Sequence, residues 1–262
     1  MSFRRVLGIF LIVVGIVSLV HADEILSALK GSCRITASTQ ANHFELRLER
    51  GGCTGERDCH ESTITEPPDA FTGLSFSDLG RDGSHVDAVL RAEAGTLTCS
   101  GNVHDSTVIG EFTFEPNRGF VARMGQLGIT GFTSEKLETY TLFRIESGWV
   151  ESLQQKGIQG MNSNNLIAMK IFKVDPAYVD SMTALGYPTP SAEKLIAMRV
   201  HKVDPAEVKQ IRALGYEPTL DQLVEMRIFK VTPEFIERMR ARGLNDLTIS
   251  KLVQIRIFKL DE

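Results

Sequence analysis

The sequence contains few of the patterns that carry catalysis. It has no His-Glu-x-x-His of the zinc proteases, no Gly-x-Ser-x-Gly nucleophile turn and no glycine-rich phosphate loop. The absence of these motifs excludes the enzyme classes that depend on them. The cluster of Asp58, His60 and Glu61 flanks Cys59 and is typical of a polar surface turn. We therefore expect a protein that is not an enzyme and that uses no cofactor or metal.

Cysteine is also scarce, with four residues that all precede residue 100. An even number within one part of an exported chain predicts two disulfides, and four cysteines allow three pairings. Cys53 and Cys59 flank a short loop, whereas Cys33 and Cys99 lie in strand-like runs, so we favour the pairs 53–59 and 33–99. A structural zinc site is disfavoured, because neither pair has the short separation that such sites use.

The sequence has only one long apolar run, which lies near the N-terminus, and no other segment could cross a bilayer. Arg4 and Arg5 precede an apolar run over residues 6–20, and Ala22 completes a small-x-small pattern. This run is shorter than the about twenty residues of a membrane span, which favours a signal peptide at residues 1–22. An uncleaved N-terminal anchor is the alternative. The mature chain is expected to be periplasmic or secreted, with no membrane span after cleavage.

Neither sign of charge dominates the chain. The 29 Lys and Arg residues oppose 33 Asp and Glu, for a formal net charge of −4. Residues 23–160 carry 12 basic and 20 acidic side chains, whereas residues 161–262 carry 15 basic and 13 acidic ones. A mildly acidic chain argues against nucleic acid as a partner.

Residues 23–115 are predicted to form a small antiparallel β domain that its disulfides stabilise. Phe44, Leu46 and Leu48 alternate with polar residues, and similar runs recur between glycine- and proline-containing turns. Strict alternation indicates strands with one buried face. A β-sandwich is one topology that this spacing favours.

The remainder of the chain, residues 116–262, repeats itself. The copy from Leu195 to Pro205 recurs with leading leucines at Leu166, Leu223 and Leu252, at spacings of 29, 28 and 29 residues. A fixed period in this range indicates stacked supersecondary units, each too small to bury its own apolar face. With the more degenerate copies before Leu166, we expect four to five α-hairpins in a short α-solenoid. The expected fold class is therefore α+β.

Local signals predict two helices in each copy. The first, helix A, is expected to begin four residues before the leading leucine, at a residue that can cap the free N–H groups. These capping residues are Thr133, Asn162, Ser191, Thr219 and Thr248. The second, helix B, is expected to begin at a cap-proline pair such as Asp204-Pro205 and to end at a glycine such as Gly215. A short strand is the alternative for the alternating segment at the end of helix A.

Basic residues recur in register along the copies. The first basic column is Lys170, Arg199, Arg227 and Arg256, and the second is Lys173, Lys202, Lys230 and Lys259. Residues three apart share a helix face, so the two columns are predicted to form a basic ladder. It is either a partner-binding surface or a solvated face that duplication has repeated. An aromatic column of Phe143, Phe172, Phe229 and Phe258, with His201 in register, is expected to pack between copies.

The repeat carries a resemblance to a known type of protein. The pattern Leu-Val-Glu-Met-Arg-Ile-x-x-Val-Thr-Pro-Glu-Phe-Ile-x-x-Met-x-x-x-Gly at residues 223–243 resembles arrays of bacterial, notably acidobacterial, proteins. In some of these, the array follows a sensor metallopeptidase related to the BlaR/MecR antibiotic-sensing proteins. The segments at residues 95–101 and 110–117 resemble the part that introduces such arrays. The resemblance implies an exported repeat protein without the peptidase, whose metal-binding motif is absent here, so no catalytic residue is carried over.

These features together predict an exported, non-enzymatic module for protein interaction or scaffolding. The alternative is a ligand sensor or signalling accessory of a BlaR-like envelope system, in which the β domain binds a ligand. The apolar C-terminal edge, with Phe258 and Leu260, is expected either to dock its last helix on Phe235 and Met239 or to mediate self-association.

Overall fold

The computed structural model describes residues 26–51 and 60–260. The predicted signal peptide and the predicted Cys53–Cys59 pair therefore lie outside the described residues. Within the described part of the chain, no helix is long and apolar enough to cross a bilayer.

The described residues of the first half of the chain form one antiparallel sheet of seven strands in the order β3-β2-β1-β7-β6-β5-β4. The predicted alternation is present, since Ile35, Leu46 and Leu97 are fully buried while their neighbours along each strand face outwards. The strands are β1 Leu29–Ala37, β2 Phe44–Arg50, β3 His60–Glu66, β4 Phe71–Thr72, β5 His85–Ala92, β6 Gly95–His104 and β7 Thr107–Pro116. A single helical turn, α1 Phe76–Leu79, joins β4 to β5.

The expectation of a sandwich is wrong for the described strands, because all seven belong to one sheet. Helix α3 (Ser134–Leu142) lies against β5, β6 and β7. Its Leu137 and Tyr140 are fully buried in the same cluster as Leu97 and Phe112. A helix thus supplies the second layer that the apolar face of the sheet requires.

Ten short helices follow the sheet in the described residues, alternating between the B and A positions of the sequence copies. The A helices are α3 Ser134–Leu142, α5 Asn165–Ile171, α7 Ala192–Val200, α9 Leu220–Ile228 and α11 Ile249–Ile257. The B helices are α2 Arg118–Gln126, α4 Ser147–Gln154, α6 Pro176–Thr183, α8 Pro205–Ala213 and α10 Pro233–Ala241. The structure is therefore α+β, and the strand alternative for the end of helix A is wrong.

The predicted helix starts are confirmed at four of the five A helices. Thr133, Ser191, Thr219 and Thr248 each accept a hydrogen bond from a first-turn N–H, and Thr219 forms a complete capping box with Gln222. Helix α5 begins later than predicted, with Asn164 as its cap residue. The Asn162 side chain still accepts from the N–H groups of Asn164 and Asn165, so the predicted residue caps the turn that precedes the helix.

The A helices contact one another in sequence, α5 with α7, α7 with α9 and α9 with α11, and the B helices α6, α8 and α10 do the same. The leading leucines Leu166, Leu195, Leu223 and Leu252 are all buried between them. One core cluster continues from the strands into the helices as far as Leu223, and a second joins α10 to α11. The short helices are thus held by contacts with the adjacent copies, as their length requires.

Candidate interaction surface on the helical copies

The A and B helices end in different ways. The glycines that follow the B helices, such as Gly186 and Gly215, have positive φ, as the sequence predicts. The A helices instead place a basic residue in the left-handed region, with φ between +48° and +57°. These residues are Arg144, Lys173, Lys202, Lys230 and Lys259. A side chain in this region costs about 1–2 kcal/mol, so glycine is the residue that a helix end of this kind favours.

The hydrogen bonds of the α7 end explain this geometry. The N–H of Lys202 donates to the Arg199 carbonyl, and the N–H of Val203 donates to the Met198 carbonyl. This pair of bonds defines a Schellman motif, which satisfies carbonyls that the helix leaves unpaired. Lys202 therefore lies past the end of α7 at Val200 rather than on its face. The prediction that the two basic columns share a helix face is wrong for this reason.

The first basic column joins each copy to the preceding one. The Nε of Arg199 donates to the carbonyl oxygen of Phe172 at 2.9 Å, and its guanidinium lies 4.7 Å from the centre of the Tyr178 ring. Arg256 repeats the arrangement, with its Nε 3.3 Å from the Phe229 carbonyl and its guanidinium 4.8 Å from the Phe235 ring. The arginine thus caps the end of the previous A helix while it stacks on the intervening B helix.

The other two members of the first column vary this arrangement. Arg227 donates to the His201 carbonyl and forms an ion pair with Glu207. Lys170 lies over the Trp149 ring, with its Nζ 5.1 Å from the centre. Burial lowers the pKa of Lys170, and burial also raises the pKa of Glu207 against the opposing effect of Arg227. All four side chains are half-buried, which matches a role in contacts between copies.

The second basic column differs from the first both in its contacts and in its burial. Lys173, Lys202, Lys230 and Lys259 are exposed, and none of them forms an ion pair with another described residue. Four like charges at the same position of successive copies create a positive surface that attracts anionic groups.

Apolar side chains lie beside this column at the surface. Ile171, Val200, Ile228 and Ile257 form the last residue of their A helices, and each is more than two-fifths exposed. The aromatic column that was expected to pack between copies is partly at the surface as well, with Phe172 39% and Phe258 67% exposed. Each ring belongs to the C-cap residue, which lies beyond the buried stripe of its helix. We call the exposed ends of α5, α7, α9 and α11, for example Ile171-Phe172-Lys173, the basic-apolar tips.

Two open grooves separate successive tips. The first has a volume of about 810 Å³ and lies between the tip at residues 171–173 and the start of α8. It contains Asp204 and Glu207 as well as basic residues. The second has a volume of about 500 Å³. It is lined by Val200, His201, Lys202, Arg227, Lys230, Thr232, Arg238 and Arg256. Within residues 26–51 and 60–260, no carboxylate lines it.

A Ser-His-Asp cluster on the outer face of the sheet was not predicted from the sequence. His85 Nε2 lies 3.2 Å from Asp87 Oδ1 and 3.3 Å from Ser100 Oγ, while the Ser100 hydroxyl donates to Asp87 at 2.6 Å. Hydrogen bonds from the His85 ring to the Asn102 amide oxygen and then to the Asp87 carboxylate raise the pKa of His85. In a nucleophilic triad, serine and aspartate contact opposite ring nitrogens. Here both approach the same nitrogen on an exposed strand surface, which is the arrangement of a cross-strand polar network.

The remaining predicted site residues lie elsewhere. Cys33 and Cys99 form a disulfide between β1 and β6, as favoured from the sequence. Glu61, from the polar cluster near Cys59, forms an ion pair with Arg47 at 2.8 Å. Among the described residues there is no group of three or more His, Cys, Asp and Glu that could hold a metal ion.

At the C-terminal edge, Ile249, Leu252 and Val253 of α11 are buried in one cluster with Phe235 and Met239. The last helix is therefore docked where the sequence analysis placed it. Phe258 and Leu260 beyond it are 67% and 70% exposed.

No family model matches the chain, and neither a curated protein nor a solved structure matches it. Its function is therefore inferred from the chain's own residues.

Proposed function

We propose that this is an exported, non-enzymatic protein whose helical copies form a short solenoid and present the basic-apolar tips to a partner protein. The observation that carries the proposal is the left-handed lysine at the tips. The B helices of the same chain end in glycine, whereas the A helices keep Lys173, Lys202 and Lys230 at a position that glycine would occupy without strain. Backbone strain that recurs at exposed side chains supports a functional use of those side chains.

The contacts between copies support a solenoid. From α5 onwards each A helix contacts the next one, and the first basic column bridges consecutive copies through the Phe172, His201 and Phe229 carbonyls. Stacked units of this kind offer one extended surface on which equivalent positions lie in a row. A partner that spans several copies then meets the same tip repeatedly, which multiplies individually weak contacts.

Export is supported by the N-terminal sequence and by the disulfide. Cys33 and Cys99 form a disulfide. Disulfides persist in oxidising compartments and are rare in the cytosol. N-terminal sequencing of the chain produced in an exporting host tests this part of the proposal. We expect a mature chain that begins at Asp23, and a chain that retains Met1 would contradict cleavage.

Affinity capture with the full chain tests the interaction surface. The tip variant carries Lys173→Glu, Lys202→Glu and Lys230→Glu. The matched control carries Lys30→Glu, Lys209→Glu and Lys251→Glu, which makes the same change in net charge at exposed lysines outside the tips. We expect the wild type and the control to retain the same envelope proteins and the tip variant to lose them. If all three retain the same proteins, the tips are a solvated face that duplication has repeated.

A further inference from the structure

We infer that the second of these grooves, whose lining runs from Val200 to Arg256, binds an extended acidic segment of a partner protein. In that segment, apolar side chains lie between the carboxylates. The inference rests on the proposed function and names the chemistry of the partner. We call this second groove, which lies between the tips at residues 200–202 and 228–230, the basic groove.

The charge of the basic groove is the first argument. Of the eight described residues that line it, five are Lys or Arg and none is Asp or Glu. Lys202 and Lys230 are exposed and form no ion pair within the described residues, whereas Arg227 is paired with Glu207. Arg238 lies over the Phe235 ring. The whole chain has a net charge of −4, so attraction of an anion at this position is a property of the groove and not of the chain.

The apolar side chains beside the charges are the second argument. Val200 lines the groove, and Ile228 and Ile257 are exposed at the ends of the neighbouring A helices. A free inorganic anion would leave these side chains in water. A peptide whose carboxylates alternate with apolar residues would cover them, and burial of apolar surface contributes roughly 25 cal/mol per Å².

The shape of the surface selects a peptide over a membrane. The two grooves, of about 810 and 500 Å³, share Lys202 and Arg227 in their linings and therefore adjoin each other. A bilayer surface is flat, whereas an extended peptide can enter a groove. In the basic groove, the exposed Arg238 offers a planar pair of donors that matches a carboxylate.

Fluorescence anisotropy with the full chain and a labelled Glu-Leu peptide tests the inference. A length of about eight residues suffices, because an extended chain rises about 3.3 Å per residue and neighbouring helices lie about 8–10 Å apart. We expect binding that weakens with added salt, because the contacting charges are exposed. A Lys-Leu peptide of equal length serves as the charge-reversed probe and is expected not to bind.

The variants locate the site. Lys202→Glu with Lys230→Glu is expected to weaken peptide binding by about tenfold or more, since it replaces two attractive contacts with repulsive ones. The matched control, Lys209→Glu with Lys251→Glu, changes net charge equally at exposed positions outside the groove and is expected to bind as the wild type does. Thermal unfolding of each variant confirms that it is folded.

Three results would overturn the inference. The first is equal loss of affinity in both variants, which would show non-specific attraction. The second is binding to vesicles that contain phosphatidylglycerol but not to the peptide, which would identify a membrane surface as the partner. The third is absence of peptide binding. If affinity capture still depends on the tips in that case, the proposed function stands and only the acidic partner chemistry fails.

Discussion

Cys33 and Cys99 lie with their Cα atoms 6.0 Å apart, although strand β7 runs between their strands β1 and β6. In a flat sheet these Cα atoms would lie more than about 9.6 Å apart, because two strand spacings of about 4.8 Å separate β1 from β6 and the two residues are also offset by two positions along β7. The sheet is therefore sharply curled at this point. The curl coincides with the cross-strand pair Gly101 and Gly110, where a Cβ on Gly110 would lie 2.5 Å from the Gly101 Cα. Only glycine permits this approach of the two backbones.

Removal of this disulfide is expected to destabilise the protein by about 4 kcal/mol, which is the loop-closure value for a bridge across 66 residues. The variant is Cys33→Ala with Cys99→Ala, and urea unfolding of the folded chain measures the change. A loss below about 1 kcal/mol would show that sheet pairing alone constrains β1 and β6.

Substitutions at the two kinds of helix end are expected to change the stability of the protein in opposite directions. Lys202→Gly relieves the positive φ of +57° and should stabilise the protein by about 0.5–1 kcal/mol. Gly215→Ala introduces a side chain at φ +83° and should destabilise it by about 1 kcal/mol, although no atom within 4 Å obstructs the new Cβ. Urea midpoints of the two variants provide the comparison, and a shift of both in the same direction would contradict this account.

The same Lys202→Gly variant separates stability from binding. If Lys202 contacts the partner, the variant should gain stability and lose affinity for the acidic peptide. Such an exchange is common where a functional side chain occupies a strained position. A more stable variant with unchanged affinity would remove Lys202 from the binding surface.

Arg199→Ala is expected to destabilise the protein by about 1–3 kcal/mol, because it removes both the cap of the Phe172 carbonyl and the stacking on Tyr178. The buried hydroxyl of Tyr178, which donates to the Val203 carbonyl and whose pKa burial raises to about 12, keeps that ring in place. Lys209→Ala, at an exposed position, is the control and should change stability by less than about 0.5 kcal/mol. Equal effects of the two variants would refute a structural role for the first basic column.

The buried carboxyl of Glu138 is expected to make stability depend on pH. Burial raises its pKa, and the nearby Arg50, 3.3 Å away, only partly opposes this. The folded state therefore binds the proton more tightly than the unfolded state, so this contribution to stability is present below pH 4.5 and is lost as pH rises through the folded-state pKa. The difference between wild type and Glu138→Gln, measured by urea unfolding from pH 4 to 7, should show this slope. Glu193→Gln, at an exposed position, is the control and should leave the dependence of stability on pH unchanged.

The helix boundaries were accessible from the sequence because their causes are local. Thr219 and Gln222 cap each other within one turn, and the Asp204-Pro205 pair begins α8 as predicted. The left-handed Lys202 was not foreseen, since glycine is the usual signal for that conformation. The buried Val203 directly after it is a signal that was available, because a Schellman motif usually places an apolar residue there.

The roles of the two basic columns were not accessible in the same way. Arg199 and Lys202 recur with the same period, and the sequence treats them alike. The structure separates them, because Arg199 reaches back to the carbonyl of Phe172, 27 residues earlier, while Lys202 is exposed and forms no ion pair with a described carboxylate. That difference depends on the rotation between neighbouring copies, which no short stretch of sequence encodes.

By itself, the sequence determined the elements: strands from their alternation, paired helices from their caps and prolines, and a period of about 29 residues from the leading leucines. Each depends on hydrogen bonds and apolar spacing within a few residues. Only the tertiary structure decided the single curled sheet, in which Ile35 pairs with Val108, and the exposure of the basic-apolar tips. Those features follow from packing between distant residues, where many arrangements satisfy the same local pattern and the burial of the whole chain selects one.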